Sequence, residues 1–101
     1  MIRFTRTAVV ASGHSAEALG FADKVTQQVK ARYPDLGLHW GMQIGGTSGV
    51  VHWTMDVEDL NTVETMFREL MTDGEYISLV DSAGHAFVHG STVDTMVSLV
   101  S

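Results

Sequence analysis

From residue 2 the chain alternates. Ile2, Phe4, Ala8 and Val10 fall on one face and Arg3, Thr5 and Thr7 on the other, which predicts a half-buried strand over residues 2–11. Arg6 breaks the pattern by standing on the apolar face near its middle. Gly13, His14 and Ser15 interrupt the strand. Ser15 offers a helix N-cap, with Glu17 in the first turn. Ala18, Phe21, Ala22, Val25, Val29 and Tyr33 then follow helical spacing until Pro34 closes the run, and Asp35 and Gly37 make a turn. Alternation returns over residues 38–45, with Leu38, Trp40, Met42 and Ile44 against His39, Gly41, Gln43 and Gly45. The stretch from Gly45 to Gly49 reads as a hairpin loop into a third strand, Val50 to Val57.

Asp59 marks the N-cap region of a second helix with apolar positions at Leu60, Val63, Met66, Phe67 and Leu70. Asp73 and Gly74 interrupt it, and one or two further helical turns are expected from Glu75 to Ala83. Residues 84–92 read as a polar loop and residues 93–100 as a last strand. The order β-α-β-β-α-β predicts an α+β, ferredoxin-like domain: a four-stranded antiparallel sheet with its helices on one face.

The second sheet face then has no cover within one chain. If the hairpin sets Ile44 opposite Val51, Leu38, Trp40, Met42 and Ile44 share a wholly apolar face with Val51, Trp53, Met55 and Val57. The other face holds His39, Gln43, Val50, His52, Thr54 and Asp56, joined by Arg3, Thr5, Thr7 and Val9 of the first strand. A slip of one residue would mix the two sets, so the clean partition favours this parity. A face mixing one arginine, two histidines, a glutamine and threonines suits the wall of an amphipathic cavity. It also suits a solvated sheet surface, since threonine and valine are good strand formers.

Composition narrows the function. At 101 residues, residues 1–101 make a single domain. A chain of this size buries only roughly 60–65% of its unfolded surface, so a ligand-sized cavity is easier to build between two copies than inside one. The apolar fraction of 45% is high for so small a monomer and points to a homodimer partner surface. The formal net charge of −6, with six lysines and arginines, argues against nucleic acid and anionic membranes as partners. The absence of cysteine excludes disulfides and thiol catalysis. No apolar run is long enough to span a membrane, the start lacks a signal-peptide core, and the cytoplasm is the expected compartment.

Among candidate residues, His52 and His39 stand on the mixed face, where a neutral imidazole can act as general base. His52 has a cross-strand partner available in Gln43, and His39 in Asp56. Arg3 has the fork geometry to anchor a carboxylate or enolate, or else to make a surface ion pair. Thr5, Gln43 and Thr54 complete the expected substrate-binding set. Trp40 and Trp53 fall by parity under the helices, as core. His85 and His89 have a metal-like H-x3-H spacing, but flanking Gly84 and Gly90 favour exposed loop histidines, and no metal is assigned. His14 reads as a turn residue. The glycines at 45, 46 and 49 are no phosphate loop, because no helix follows.

One resemblance covers nearly the whole chain. It rests on Gly45, Gly46, Thr47, Ser48 and Gly49 leading into Val51, His52 and Trp53; on Leu60 and Glu64; on Asp73, Glu75, Tyr76 and Leu79; and on Phe87, Gly90, Ser91 and Asp94. These residues resemble the pattern of the dimeric α+β barrel superfamily, and within it the NIPSNAP-like small bacterial proteins. The resemblance implies that two sheets pack face to face into a barrel and that each open face becomes cavity wall. It implies a range of activities, among them cofactor-free monooxygenases acting on aromatic polyketides, haem-degrading oxygenases and lactone isomerases, with no shared catalytic set. The expectation is a homodimer that binds a small aromatic or amphipathic molecule. Catalysis, if any, would be cofactor-independent oxygenation or isomerisation with His52 or His39 as base and Arg3 or Gln43 steadying the developing charge. A non-catalytic binding or assembly module and a haem-binding protein stay open as alternatives.

Overall fold

The computed structural model describes residues 1–101. The elements run β1 (Ile2–Val9), α1 (Ser15–Arg32), β2 (His39–Met42), β3 (Val50–Val57), α2 (Leu60–Leu70), α3 (Gly74–Ser82) and β4 (Val93–Ser98), with single 3-10 turns at Pro34–Leu36 and Gly84–Ala86. The strands form one antiparallel sheet in the order β2-β3-β1-β4, the ferredoxin-like arrangement that the alternation predicts.

Register decides what each face carries. On the helix side, Phe4 stands between Met96 and Met55, and Arg6 stands between Asp94 and Trp53, with Trp40 beyond. On the bare side, Arg3 lies between Val97 and Asp56, Thr5 between Thr95 and Thr54, and Thr7 between Val93 and His52. The partition read from the sequence therefore holds, although the hairpin pairs differently. Met42, not Ile44, lies opposite Val51. Gly45, Gly46 and Gly49 all take positive φ, which widens the loop until the Gln43 amide closes it on the Val50 carbonyl at 2.9 Å. The shift is two residues, so parity survives, and Ile44 is left 99% exposed in the loop.

Helix α1 buries Ala18, Ala22, Val25, Thr26 and Val29, a stripe at helical spacing. Ser15 does not cap it: His14 occupies the cap position, without a side-chain bond to the helix's backbone amides, and Ser15 is already inside the helix. The cap expected at Asp59 is in place, and Asp73, expected only to interrupt the second helix, caps α3. Asp59 accepts from the Thr62 amide at 2.9 Å, and Asp73 accepts from the amides of Glu75 and Tyr76 at 3.0 and 3.3 Å. Arg32 reaches from α1 to Asp73 at 2.8 Å, which ties the start of α3 to the end of α1. Phe4, Val51, Trp53, Met55 and Val57 of the sheet pack with Val25, Val29, Val63, Met66, Leu70 and Tyr76 in one core. No helix is long and apolar enough to cross a membrane.

The expected polar loop at 84–92 is pinned rather than free. Ala11 donates to the Ala86 carbonyl and Val88 to the Val9 carbonyl, each at 2.8 Å, and Ser91 Oγ accepts from Val9 at 3.0 Å. Strand β4 ends at Ser98, short of the expected residue 100, and every residue in it is exposed. The molecule is a slab of 38 × 34 × 21 Å, thick enough for one sheet and one helix layer.

Two outcomes follow from this packing. Met55 is 1% exposed at the centre of the core, so Met55→Ala is expected to cost about 2–5 kcal/mol in urea unfolding. The Tyr76 amide, with help from Arg32 and the Glu75 amide, holds the Asp73 carboxyl below its ordinary value. Its contribution is therefore complete above the carboxyl's value in the unfolded chain and is lost as pH falls through the lowered one. The melting temperature of Asp73→Asn is expected to lie below that of the parent at pH 7, and the gap to narrow as pH drops below about 4.

Candidate functional site

Two surfaces carry polar side chains in an otherwise apolar frame. The first is the bare sheet face, which holds all six residues expected from the sequence to form the site. His52 Nε2 donates to Gln43 Oε1 at 2.8 Å. The orientation of the amide follows from its other end, where Gln43 Nε2 donates to the Gly45 carbonyl at 3.1 Å. His52 in its neutral form then keeps only Nδ1 as a base. His39 Nδ1 donates to the Gly37 carbonyl at 3.0 Å, and the ring is exposed. The expected pairing of His39 with Asp56 is replaced. His39 lies opposite Thr54, and Asp56 is held by Arg3 in a bidentate ion pair at 2.9 and 3.1 Å. Arg3, foremost by that hydrogen bond, draws the Asp56 carboxyl below the ordinary carboxylate range. Arg3 is thus engaged within its own chain, as cross-strand neighbours on a solvated face commonly are. Thr5 and Thr54 face each other across β1 and β3. These six side chains lie on a flat face, and none of them lines the main cavity.

That cavity lies on the other side of the sheet. It has a volume of about 300 Å³ and sits between the helix-facing side of β1 and β3 and the three helices. Phe4, Trp53 and Met55 form its sheet side, Phe21 and Val25 its α1 side, and Phe67 its α2 side. Tyr76 and Val80 of α3, Ala83 just after it, and residues 87–90 with Thr92 close the rest. The bare-face cavity expected from the sequence needs two protomers, whereas this one lies within a single protomer. The helices do not cover their side of the sheet evenly. α1 approaches closely through the fully buried Ala18 and Ala22, whereas the remainder is bridged by short helices and the 84–92 segment.

The cavity wall is aromatic, with one charge. Phe21 meets Trp53 and Phe87 edge-on, with ring centroids 6.1 and 5.7 Å apart, and Phe4 meets Phe67 at 5.4 Å. Arg6 is the residue that broke the alternation of β1. Its guanidinium lies 4.8 Å from the centre of the Phe67 ring and binds Asp94 of β4 through two bonds of 2.7 and 2.8 Å. Asp94, by that hydrogen bond, keeps the guanidinium firmly protonated against the burial that opposes charge, with Tyr76 a smaller favourable neighbour. Tyr76 is itself buried, His89 and Thr92 contribute further polar groups, and the indole N–H of Trp53 is buried with no hydrogen-bond partner. In the sequence Arg6 stands only as a break in the alternation of β1. A charge at an apolar-phase strand position was the available signal, because such a charge needs both a partner and a reason to be there.

The spacing of His85 and His89 does not form a pair of ligands. His85 sits in the 3-10 turn and bonds to Glu17 of α1, while His89 lies at the cavity. Asp81, one turn earlier, joins neither.

No family model matches the sequence, and no curated protein matches it. Solved structures do match the fold. An uncharacterised NIPSNAP domain protein from Burkholderia xenovorans superposes with a TM-score of 0.81 at 15% identity, over 99% of this chain and 95% of that one. A NIPSNAP family protein from Agrobacterium tumefaciens gives 0.79 at 13%, over 95% and 90%. A protein assigned as an antibiotic biosynthesis monooxygenase from Deinococcus radiodurans gives 0.69 at 11%, over 100% and 94%.

The two arginine pairs differ in setting, and this can be measured. Arg6 is 30% exposed against Phe67, whereas Arg3 is 51% exposed. Asp94→Asn should lower the melting temperature more than Asp56→Asn, since it strands the more buried guanidinium. The architecture in which that guanidinium sits, an antiparallel β2-β3-β1-β4 sheet with helices on one side, is the ferredoxin-like fold common to the NIPSNAP and monooxygenase structures.

Proposed function

We propose that the protein is a symmetric homodimer, joined through the bare sheet face, in which each protomer binds a small aromatic molecule between its sheet and its helices. The ligand places one anionic or carbonyl oxygen toward Arg6. The observation that carries this reading is the single charged fork set in an aromatic wall. A mostly apolar cavity with a few convergent polar groups is the usual form of a small-molecule site, and about 300 Å³ is at the lower end of its range. Asp94 lies at the exposed edge strand, so an incoming carboxylate, enolate or phenolate can share or replace it on the guanidinium.

Support for the dimer is physical. The chain exposes 6237 Å², against roughly 5600 Å² for a typical folded monomer of its mass. Val93 and Val97 on the bare face are 56% and 48% exposed, and β4 is an uncovered edge. In this reading His52, His39, Arg3, Thr5, Gln43 and Thr54 lie at the contact between protomers.

The fold shared with proteins assigned as monooxygenases suggests cofactor-independent oxygenation or isomerisation as the reaction class. Arg6 would then stabilise the enolate-like charge that such chemistry develops. A binding module without turnover uses the same cavity and the same Arg6.

Light scattering and titration with an aromatic sulfonate, anilinonaphthalene sulfonate, test the two halves separately. A dimer is expected at micromolar concentration, and Val97→Lys should shift it toward monomer. Arg6→Met should raise the dissociation constant of the dye about tenfold, the loss of roughly 1.4 kcal/mol, while Arg3→Met leaves it within twofold. A monomeric parent overturns the dimer. Equal losses from Arg3→Met and Arg6→Met overturn the cavity.

A further inference from the structure

A second cluster lies outside the cavity and owes nothing to the reading above. His14 immediately precedes α1, Glu17 is in its first turn, and His85 comes from the 3-10 turn at Gly84–Ala86. The Glu17 carboxylate accepts from His14 Nδ1 at 3.2 Å through one oxygen and from His85 Nε2 through the other. The two imidazoles meet edge to face with centroids 5.3 Å apart. One ligand atom from each of the three residues lies within 4.8 Å of the other two.

The backbone beneath this trio is fixed. Ala11 donates to Ala86 at 2.8 Å, and His14 donates back to Ala11 at 3.0 Å, so the two segments that carry the histidines are linked through main-chain bonds. Ala86, next to His85, is fully buried. The ligand-bearing side chains are half-buried or exposed and free to rotate by small amounts. Ligand atoms around a tetrahedral ion with bonds of about 2.0–2.1 Å stand roughly 3.3–3.5 Å apart. Rotamer adjustment therefore closes the set without moving the main chain.

We propose that His14, Glu17 and His85 form a binding site for a divalent transition-metal ion of the zinc class. Two imidazole nitrogens and one carboxylate oxygen are the donors that zinc, nickel and copper favour, whereas calcium and magnesium require oxygen ligands. Three protein ligands leave at least one coordination position to water. The ion bridges the start of α1 to the turn between α3 and the 84–92 segment. Gly84 and Phe87, on either side of His85, both line the cavity, so the ion fastens part of the cavity's rim to α1.

The test uses the full chain, free of affinity tags and treated with chelator, titrated calorimetrically with zinc chloride and in parallel with calcium chloride. The expected result is saturable binding of one zinc ion per chain, a rise in melting temperature with zinc, and no saturable calcium binding. His85→Ala and Glu17→Gln should each weaken zinc binding by about tenfold or more, while His39→Ala, a histidine of the bare sheet face that belongs to no such cluster, leaves it unchanged. Circular dichroism without metal should match the parent for every variant, since all three positions are at the surface. The proposal is overturned if the parent shows no saturable zinc binding, if binding survives intact in both His85→Ala and Glu17→Gln, if His39→Ala weakens it equally, or if calcium binds as tightly as zinc.

Discussion

Strand β1 is hydrogen-bonded on both sides, to β3 and to β4, and its register decides which side chains of the three strands face the helices together and which face away. A strand has a period of two, so one register sends Phe4, Arg6 and Ala8 toward the helices and Arg3, Thr5 and Thr7 away from them. A slip of one residue would put Arg3 under the helices and Phe4 in water. The slip is expensive because Phe4 and Ala8 would leave the core together while Arg3, Thr5 and Thr7 entered it among Val51, Trp53, Met55 and Val57.

Within this frame Arg6 is the exceptional residue. An unpaired guanidinium among Phe4, Phe67 and Trp53 would carry a heavy desolvation cost. The adjacent edge strand supplies Asp94 in the register position beside it, and the Phe67 ring supplies a face for the cation. The arrangement leaves a charge that is satisfied yet reachable. That combination suits recognition better than it suits stability, since an apolar residue at position 6 would simply have completed the core. The bare face has the opposite character. There His52 pairs with Gln43, His39 with the Gly37 carbonyl and Arg3 with Asp56, and Val93 and Val97 remain uncovered.

Much of this was legible in the residues. Strict alternation in β1 and β3 and the helical stripe of α1 were sufficient for the element order. Asp59 announced the start of α2 through the capping chemistry of its carboxylate, and Asp73 with Gly74 marked the break at which α3 begins. The face partition of the hairpin was legible too, although its register was not, because three consecutive-region glycines with positive φ allow loops of several widths. What sequence could not convey was the fit of helices to sheet. Whether a layer packs tightly or leaves a cavity depends on how Ala18 and Ala22 draw α1 inward while α2, α3 and residues 87–92 span the rest. That is a property of three-dimensional spacing and not of periodicity. Pattern therefore draws attention to the face left open, and the cavity inside one protomer, on the face that pattern fills, leaves no periodic signal. The meeting of His14, Glu17 and His85 was hidden for a related reason, since Glu17 and His85 are 68 residues apart and the Ala11–Ala86 and Val88–Val9 links bring them together.

The central claim is that ligand binding and dimer contact occupy opposite faces of one sheet. The protein has two tryptophans, and their indole N–H signals in an amide-correlation NMR spectrum report on that claim directly. Trp53 lines the cavity, whereas Trp40 lies outside it near Asp23, at an indole-to-carboxylate distance of 3.4 Å. Titration with an aromatic carboxylate that binds should move the Trp53 indole signal and leave those of Trp40 and the rings of His39 and His52 in place. Movement of the His39 and His52 ring signals with Trp53 unchanged would put the ligand on the bare face and contradict the account.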